Sequence, residues 1–97
     1  MNILQWESSS FGAVAIHCLY QNASSKEMQI ILPKGESIKE HKASSHIIVQ
    51  VLKGKIWFES QGERNNLNPF DMVTLEANIP HSLGGLEDSI VRLSVTL

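Results

Sequence analysis

Apolar and polar residues alternate along several short segments of the chain. At the carboxyl end the apolar residues share one face of an extended segment and the polar residues share the other: Val91, Leu93, Val95 and Leu97 against Arg92, Ser94 and Thr96. Successive side chains of a strand point to opposite faces, so this period of two indicates a half-buried β-strand. Residues 46–52 are almost wholly apolar and β-branched, which is typical of a strand covered on both faces. No segment keeps a 3.6-residue apolar period over ten positions, so we predict no major helix.

Turn-forming residues separate these segments. Lys53-Gly54, Gln61-Gly62, Asn68-Pro69 and Gly84-Gly85 interrupt the apolar runs, because glycine, proline and asparagine tolerate or pre-set turn dihedral angles. Turn signals at this spacing, with no helix between them, are typical of an antiparallel sandwich or barrel. We therefore predict an all-β fold of eight or nine antiparallel strands, at about residues 12–20, 27–32, 37–41, 46–52, 55–60, 62–67, 71–75, 81–86 and 90–96.

Composition narrows the class of protein. The chain has 97 residues, which suit one small domain, and 42% of them are apolar, which excludes a disordered chain. The net charge of -2 lacks the basic footprint of a nucleic-acid-binding protein, and no apolar run is long enough to span a membrane. We therefore expect neither nucleic acid nor membrane among its partners.

The ends of the chain and its single cysteine bear on compartment and domain organisation. Met1 to Glu7 has neither the basic nor the apolar region of a signal peptide, and Cys18 alone cannot form an internal disulfide. We expect a cytoplasmic protein. Residues 1–10 are predicted to form an amino-terminal arm or an edge strand, and residues 11–97 a single domain.

Three motifs in order resemble those of the cupin family. Gly35 is followed by His41 as in the first cupin motif, Val51-Leu52-Lys53-Gly54 matches the family's strand and turn, and the segment from Leu67 to Pro80-His81 resembles the second motif. The resemblance covers about two thirds of the chain. It implies a small single-domain cupin with an RmlC-like jelly roll, also called a double-stranded β-helix.

The resemblance also implies a metal site, which is incomplete here. Cupins that bind metal typically use two histidines and a glutamate of the first motif and one histidine of the second. Transferred by position, His41 and His81 are present, but Ala43 and Ile47 replace the other histidine and the glutamate. The first motif is thus degenerate. The implied cofactor is one divalent metal ion (Zn, Ni, Fe or Mn); the alternative is that both histidines bond each other, water or a small ligand.

His46 is the remaining candidate for a third metal ligand. If Ile47 points inward, its neighbour His46 points outward, since neighbours in a strand lie on opposite faces. A bulge or an irregular loop through residues 42–45 would shift this register by one. In that case His41, His46 and His81 would form a three-histidine site open to water.

Aromatic residues and the replaced ligand positions suggest an apolar barrel interior. We expect Trp57 and Phe70 to contribute to the pocket wall or to the core between the sheets. Ala43 and Ile47, in place of polar ligands, make the interior more apolar. Jelly-roll barrels of this kind commonly hold small molecules.

Three functions follow from these expectations. The first is a cupin that binds a small molecule in its barrel, with or without a divalent metal. The second is a metal-dependent enzyme of dioxygenase, isomerase or decarboxylase type. The third is a mainly structural, dimerising cupin. Because exposed edge strands favour pairing between copies, we expect a homodimer. The fold alone does not separate these functions.

Overall fold

The computed structural model describes residues 1–97 as an all-β protein of nine strands. In chain order the strands are β1 (Ala15–Gln21), β2 (Ser25–Leu32), β3 (Ser37–His41), β4 (His46–Lys53), β5 (Ile56–Ser60), β6 (Glu63–Leu67), β7 (Met72–Leu75), β8 (His81–Gly85) and β9 (Ser89–Thr96). The predicted fold class is confirmed. The chain contains no helix that could cross a membrane.

The strands form two antiparallel sheets. The first has five strands in the order β1-β2-β9-β4-β7, and the second has four in the order β3-β8-β5-β6. Strands that are neighbours in sequence often lie in different sheets, as do β2 and β3 or β4 and β5, which is the connectivity of a jelly roll. In the second sheet β3 pairs with β8, so the last residue of β3 lies beside the first residue of β8, although they are far apart in the sequence.

The core lies between the sheets and follows the period of two. Ile47, Val49 and Val51 of β4 are each at most 3% exposed, and Ile56 and Phe58 of β5 face them from the other sheet. Their intervening neighbours point outward. This alternation is why the strands could be predicted from the sequence.

The turn between β1 and β2 is tighter than the apolar pattern predicts. The side-chain oxygen of Asn22 accepts hydrogen bonds from the backbone N–H groups of Ser24 and Ser25, at 2.9 and 2.8 Å. This local turn lets β2 begin at Ser25 instead of residue 27, because the side chain replaces backbone bonds that the turn cannot make.

Residues 1–10 form no strand, and part of this segment lies on the outer face of β2. The side chain of Gln29, 1% exposed, accepts a hydrogen bond from the backbone N–H of Glu7 and donates one to its carbonyl, at 3.0 and 2.5 Å. Gln29 thus pairs with the backbone as a neighbouring strand would. Directly after this segment, the ring centre of Phe11 lies 4.9 Å from the ammonium group of Lys53, at the end of β4. The amino-terminal segment therefore covers outward-facing residues that would otherwise meet water.

Candidate functional site

Two histidines lie side by side at one end of the barrel. His41 ends β3, His81 begins β8, and the two residues are direct partners in the antiparallel pair. Their ring centres are 4.3 Å apart and the ring planes are inclined by 62°. The pairing of β3 with β8 thus joins positions that are forty residues apart in the sequence.

Both rings are oriented by the backbone in the same way. Nδ1 of His41 lies 2.8 Å from the carbonyl oxygen of Lys39, and Nδ1 of His81 lies 2.9 Å from that of Ile79. A carbonyl oxygen can only accept, so each Nδ1 carries the hydrogen and donates it. In the neutral tautomer this leaves a lone pair on each Nε2.

Between the sheets, the two histidines line a cavity of about 90 Å³. All other lining residues are apolar: Ile16, Ile30, Ile38, Ala43, Ile47, Val49, Leu83, Leu93 and Val95. The imidazoles are therefore the polar side chains of an otherwise apolar space. An apolar pocket with a few placed polar groups is the usual form of a small-molecule site.

His81 is the more buried of the two histidines, with 4% of its surface exposed. Burial lowers the pKa of His81 below its ordinary value, because an apolar surrounding disfavours the charged ring. The hydrogen bond to the Ile79 carbonyl opposes this effect, and the neighbouring His41 adds to it. The ring of Phe58 stacks on His81 with centres 5.6 Å apart. His81 is thus held as a neutral ring at neutral pH.

A more open hollow of about 420 Å³ adjoins the cavity. The two share Ala43, Leu93 and Val95, and Lys26 and Lys42 stand on the wall of the hollow. Neither lysine belongs to an ion pair. The loop between β3 and β4, residues 42–45, lines this hollow.

The positions at which the sequence lacks two metal ligands do lie at this cavity. Ala43 and Ile47 both line it together with His41 and His81. Ile47 is 3% exposed, and the backbone carbonyl of Ala43 is held by the N–H of Asn78 at 2.7 Å. Four segments of the chain therefore meet at one apolar space.

The assignment of Trp57 and Phe70 to the pocket or core is corrected by the structure. Trp57 lies on the outer face of β5, because the inward positions of that strand belong to Ile56 and Phe58; its indole packs over Gly84 and under the guanidinium group of Arg64. Phe70 lies in the turn between β6 and β7 and is 73% exposed. Neither residue lines the cavity.

Phe70 also has an unusual backbone conformation. Its φ is 74°, in the left-handed region that favours glycine. Asn78 has φ of 66°, which asparagine adopts more readily than most residues with a side chain. The turn at residue 70 directs the phenyl ring to solvent, which explains why its apolar character did not place it in the core.

His46 faces away from the cavity. It begins β4 next to the inward-facing Ile47, and its Nε2 lies 2.6 Å from the hydroxyl oxygen of Thr74 on β7. No bulge shifts the register at this end of β4, since His46 pairs with Thr96 and Ile47 with Val95 in sequence. The three-histidine alternative is therefore corrected: His46 does not join His41 and His81.

Several cavity residues were not predicted individually. Leu93 and Val95 could have been, since the alternation along β9 already placed them on one buried face. Ile16 could not, because its strand shows no clear alternation and is mostly exposed. Ile38 and Leu83 reach the cavity through the pairing of β3 with β8, which the sequence does not specify.

A family model described as the AraC-like ligand binding domain matches residues 33–88, more than half of the chain. The chain belongs to this family. The matched segment of the AraC-like domain runs from the end of β2 to the start of β9 and contains both cavity histidines. No curated protein matches the sequence significantly.

Solved structures with the same fold have little sequence identity to this AraC-like domain. A cupin superfamily protein from Desulfitobacterium hafniense has a TM-score of 0.86 and 16% identity, over 94% of this chain and 84% of that one. KdgF from a Halomonas species has a TM-score of 0.82 and 20% identity, over 95% and 86%. An RmlC-like cupin from Methanocaldococcus jannaschii has a TM-score of 0.80 and 16% identity, over 99% and 88%. The predicted small cupin domain is confirmed.

The donor set of this AraC-like domain does not fit a catalytic metal centre. Catalytic zinc usually has three protein ligands, and the site offers the two imidazoles of His41 and His81. No group of three or more histidine, cysteine, aspartate or glutamate side chains is close enough to share an ion. At the other two ligand positions, Ala43 and Ile47 present only hydrocarbon.

The buried His81 predicts a pH dependence of stability. Its pKa in the folded protein lies below the ordinary 6.5, so the unfolded chain binds more protons than the folded one as the pH falls through 6.5. The free energy of unfolding is therefore expected to decrease below that pH, and this contribution is fully lost below the folded pKa. Urea unfolding of wild type and His81→Phe between pH 5 and 8 checks this. A decrease as steep in the variant as in wild type would contradict the assignment to His81.

Proposed function

We propose that this protein binds a small molecule in the cavity between its two sheets. The observation that carries the proposal is an apolar cavity lined by the buried His81, whose Nε2 has no hydrogen-bond partner in the protein. Membership of the family described as the AraC-like ligand binding domain also supports the proposal. An apolar wall supplies affinity by excluding water, and a few polar groups orient the ligand.

The volume of the cavity limits what can enter it. About 90 Å³ is less than the roughly 150 Å³ of an engineered apolar cavity that holds benzene. The cavity therefore takes a group of a few non-hydrogen atoms, and the rest of a larger ligand lies in the adjoining hollow. Lys26 and Lys42 line that hollow and would lie beside this part of the ligand.

Binding is the function that the site favours over metal-dependent catalysis, since only two of the expected four ligand positions carry donors. The expected divalent ion would meet two imidazoles and hydrocarbon. We therefore place no reaction at this site.

Filling the cavity is expected to weaken binding. Ala43→Leu puts a larger apolar side chain at the place where cavity and hollow meet, without changing any polar group. We expect small fragments that bind wild type to lose at least about tenfold in affinity, since the larger side chain occupies their space. The measurement is an NMR titration with a library of uncharged and anionic fragments, followed on the methyl groups of Ile38 and Leu83.

The matched control is Ala13→Leu, the same change at an exposed position just before β1 that does not line the cavity. It should bind every fragment as wild type does. The proposal fails if no fragment shifts the cavity methyl groups of wild type, or if Ala43→Leu binds them undiminished while keeping its fold.

We also propose that the protein is a homodimer. β1 is an edge strand of the five-stranded sheet, and its Tyr20 is 38% exposed. Unpaired edge strands with apolar side chains favour pairing with another copy. Light scattering after size exclusion is expected to give twice the chain mass of 10.8 kDa; a species of 10.8 kDa at micromolar concentration would overturn the proposal.

A further inference from the structure

One deeply buried side chain at the cavity has a free hydrogen-bond acceptor. His81 is only 4% exposed, its Nδ1 donates to the carbonyl of Ile79, and Nε2 has no protein partner. Every fully buried side-chain nitrogen or oxygen has a hydrogen-bond partner, so the unpartnered Nε2 of His81 is not fully enclosed by protein. Because His81 lines the cavity, we infer that the cavity is the space to which Nε2 opens.

His41 has the same orientation and lines the same cavity. Its Nδ1 donates to the carbonyl of Lys39 at 2.8 Å, so its Nε2 also carries a lone pair when the ring is neutral. In this tautomer each ring uses its only N–H on a backbone carbonyl, so the two histidines offer the cavity no side-chain donor. The other nine lining residues are apolar and neither donate nor accept through their side chains.

This arrangement selects the polar group that can enter. A carboxylate, a phosphate or a ketone offers only acceptors, which would face the lone pairs of the imidazoles and lose their water without replacement. An ammonium group could donate, but moving a charge into an apolar space without a counter-ion costs far more than moving a neutral group. No carboxylate lines the cavity to supply such a counter-ion. A hydroxyl group both donates and remains neutral.

We propose that the end of the ligand that enters the cavity is an uncharged alcohol on a short apolar skeleton, whose hydroxyl donates to Nε2 of His81. This assignment rests on the proposed function and adds the class of ligand to it. The apolar skeleton contacts the aliphatic wall formed by residues such as Ile47, Leu83 and Val95. A polyhydroxylated sugar ring does not suit the same space, because most of its hydroxyls would meet hydrocarbon.

The test compares two probes that share a carbon skeleton and differ at one group: 2-butanol, which donates, and 2-butanone, which cannot. Dissociation constants come from NMR titrations followed on the methyl groups of Ile38, Leu83 and Val95. In wild type we expect 2-butanol to bind about fivefold more tightly than 2-butanone, the ratio that one net hydrogen bond gives. Isobutyrate should bind more weakly than either. The resonance of ¹⁵Nε2 of His81 should shift with 2-butanol only.

His81→Phe removes the acceptor and keeps a ring that can stack on Phe58. In this variant we expect both probes to bind with affinities within twofold of each other. The matched control is His46→Phe, on the outer face, which should keep the fivefold preference. Equal affinities in wild type, or tighter binding of the ketone or of isobutyrate, would overturn the assignment and leave the small-molecule function standing. If no probe shifts the cavity methyl groups while a fragment of the library does, the alcohol assignment fails and the small-molecule function stands. If neither the probes nor the library shift them, both proposals fail.

Discussion

Gly54→Ala is expected to lower the free energy of unfolding by about 2–5 kcal/mol, a large part of the roughly 5–15 kcal/mol that stabilises a domain of this size. Two effects add. Gly54 has φ of 84°, and a residue with a Cβ costs about 1–2 kcal/mol in the left-handed region. A Cβ here would also collide with the backbone oxygen of Asp88 and the hydroxyl of Ser89, and overpacking of this kind costs about 1–3 kcal/mol.

The collision matters because Ser89 cannot easily move. Its side chain is fully buried, and its hydroxyl accepts from the N–H of Lys55 and lies within hydrogen-bond distance of the carbonyls of Lys55 and Glu87. These bonds tie the turn between β4 and β5 to the start of β9. A displaced Ser89 would therefore leave buried backbone groups without partners, which adds to the loss.

Gly35→Ala is the matched control for this prediction. Gly35 has the same φ of 84°, but a Cβ there meets no atom within 4 Å. We expect only the conformational cost of about 1–2 kcal/mol. Chemical denaturation of both variants measures the difference, which isolates the effect of packing. Equal losses in the two variants would show that Gly54 is required for its dihedral angle alone.

Restoring the two absent metal ligands is expected to create a metal site. Ala43→His with Ile47→Glu places an imidazole and a carboxylate at the cavity that His41 and His81 already line. Without metal this variant should be less stable than wild type, because a carboxylate replaces a buried isoleucine in apolar surroundings. With Zn²⁺ at about 100 to 1,000 times its dissociation constant, it should gain about 3–4 kcal/mol.

Thermal and chemical unfolding with Zn²⁺, Ni²⁺ or EDTA measures this gain. The matched control combines Ala43→His with Ile48→Glu, which puts the same carboxylate one residue along β4, on the outer face where Ile48 lines a separate hollow with Arg92. That variant should gain far less from metal. Should the first variant show no metal-dependent stabilisation while folding in EDTA, the four positions do not converge closely enough to share an ion.

The fold was predictable because its signals are local. Alternation along β9 and the apolar run of β4 show whether one or both faces of the strand are buried. This pattern lies within each strand and does not require knowing which strands pair with it. Glycine at Gly54 and asparagine at Asn78 mark turns because only a few residues tolerate the left-handed region. Phe70 breaks this rule, and its exposed position in a turn could not be read from an apolar side chain.

The candidate site was only partly predictable, because its members come from different strands. Residue spacing and resemblance pointed to His41, His81, Ala43 and Ile47, and all four line one cavity. The orientation of His46 depended on the register of β4 against β9, because a single bulge before Ile47 would have turned His46 toward the cavity. Trp57 was assigned by its aromatic character, whereas the parity of β5 places it outside.

The sequence by itself determined the all-β fold class, most strand positions and the turns. It also showed that His41 and His81 occupy two metal-ligand positions of the cupin motifs while the other two positions carry no ligand. The strands and turns follow from steric limits on the backbone and from the burial of alternate side chains. Only the tertiary structure decided that His41 and His81 meet, which nitrogen of each ring is free, and that the space beside them is apolar and small. Those properties arise from pairing between strands far apart in the chain and from backbone carbonyls at Lys39 and Ile79, and no local pattern encodes them.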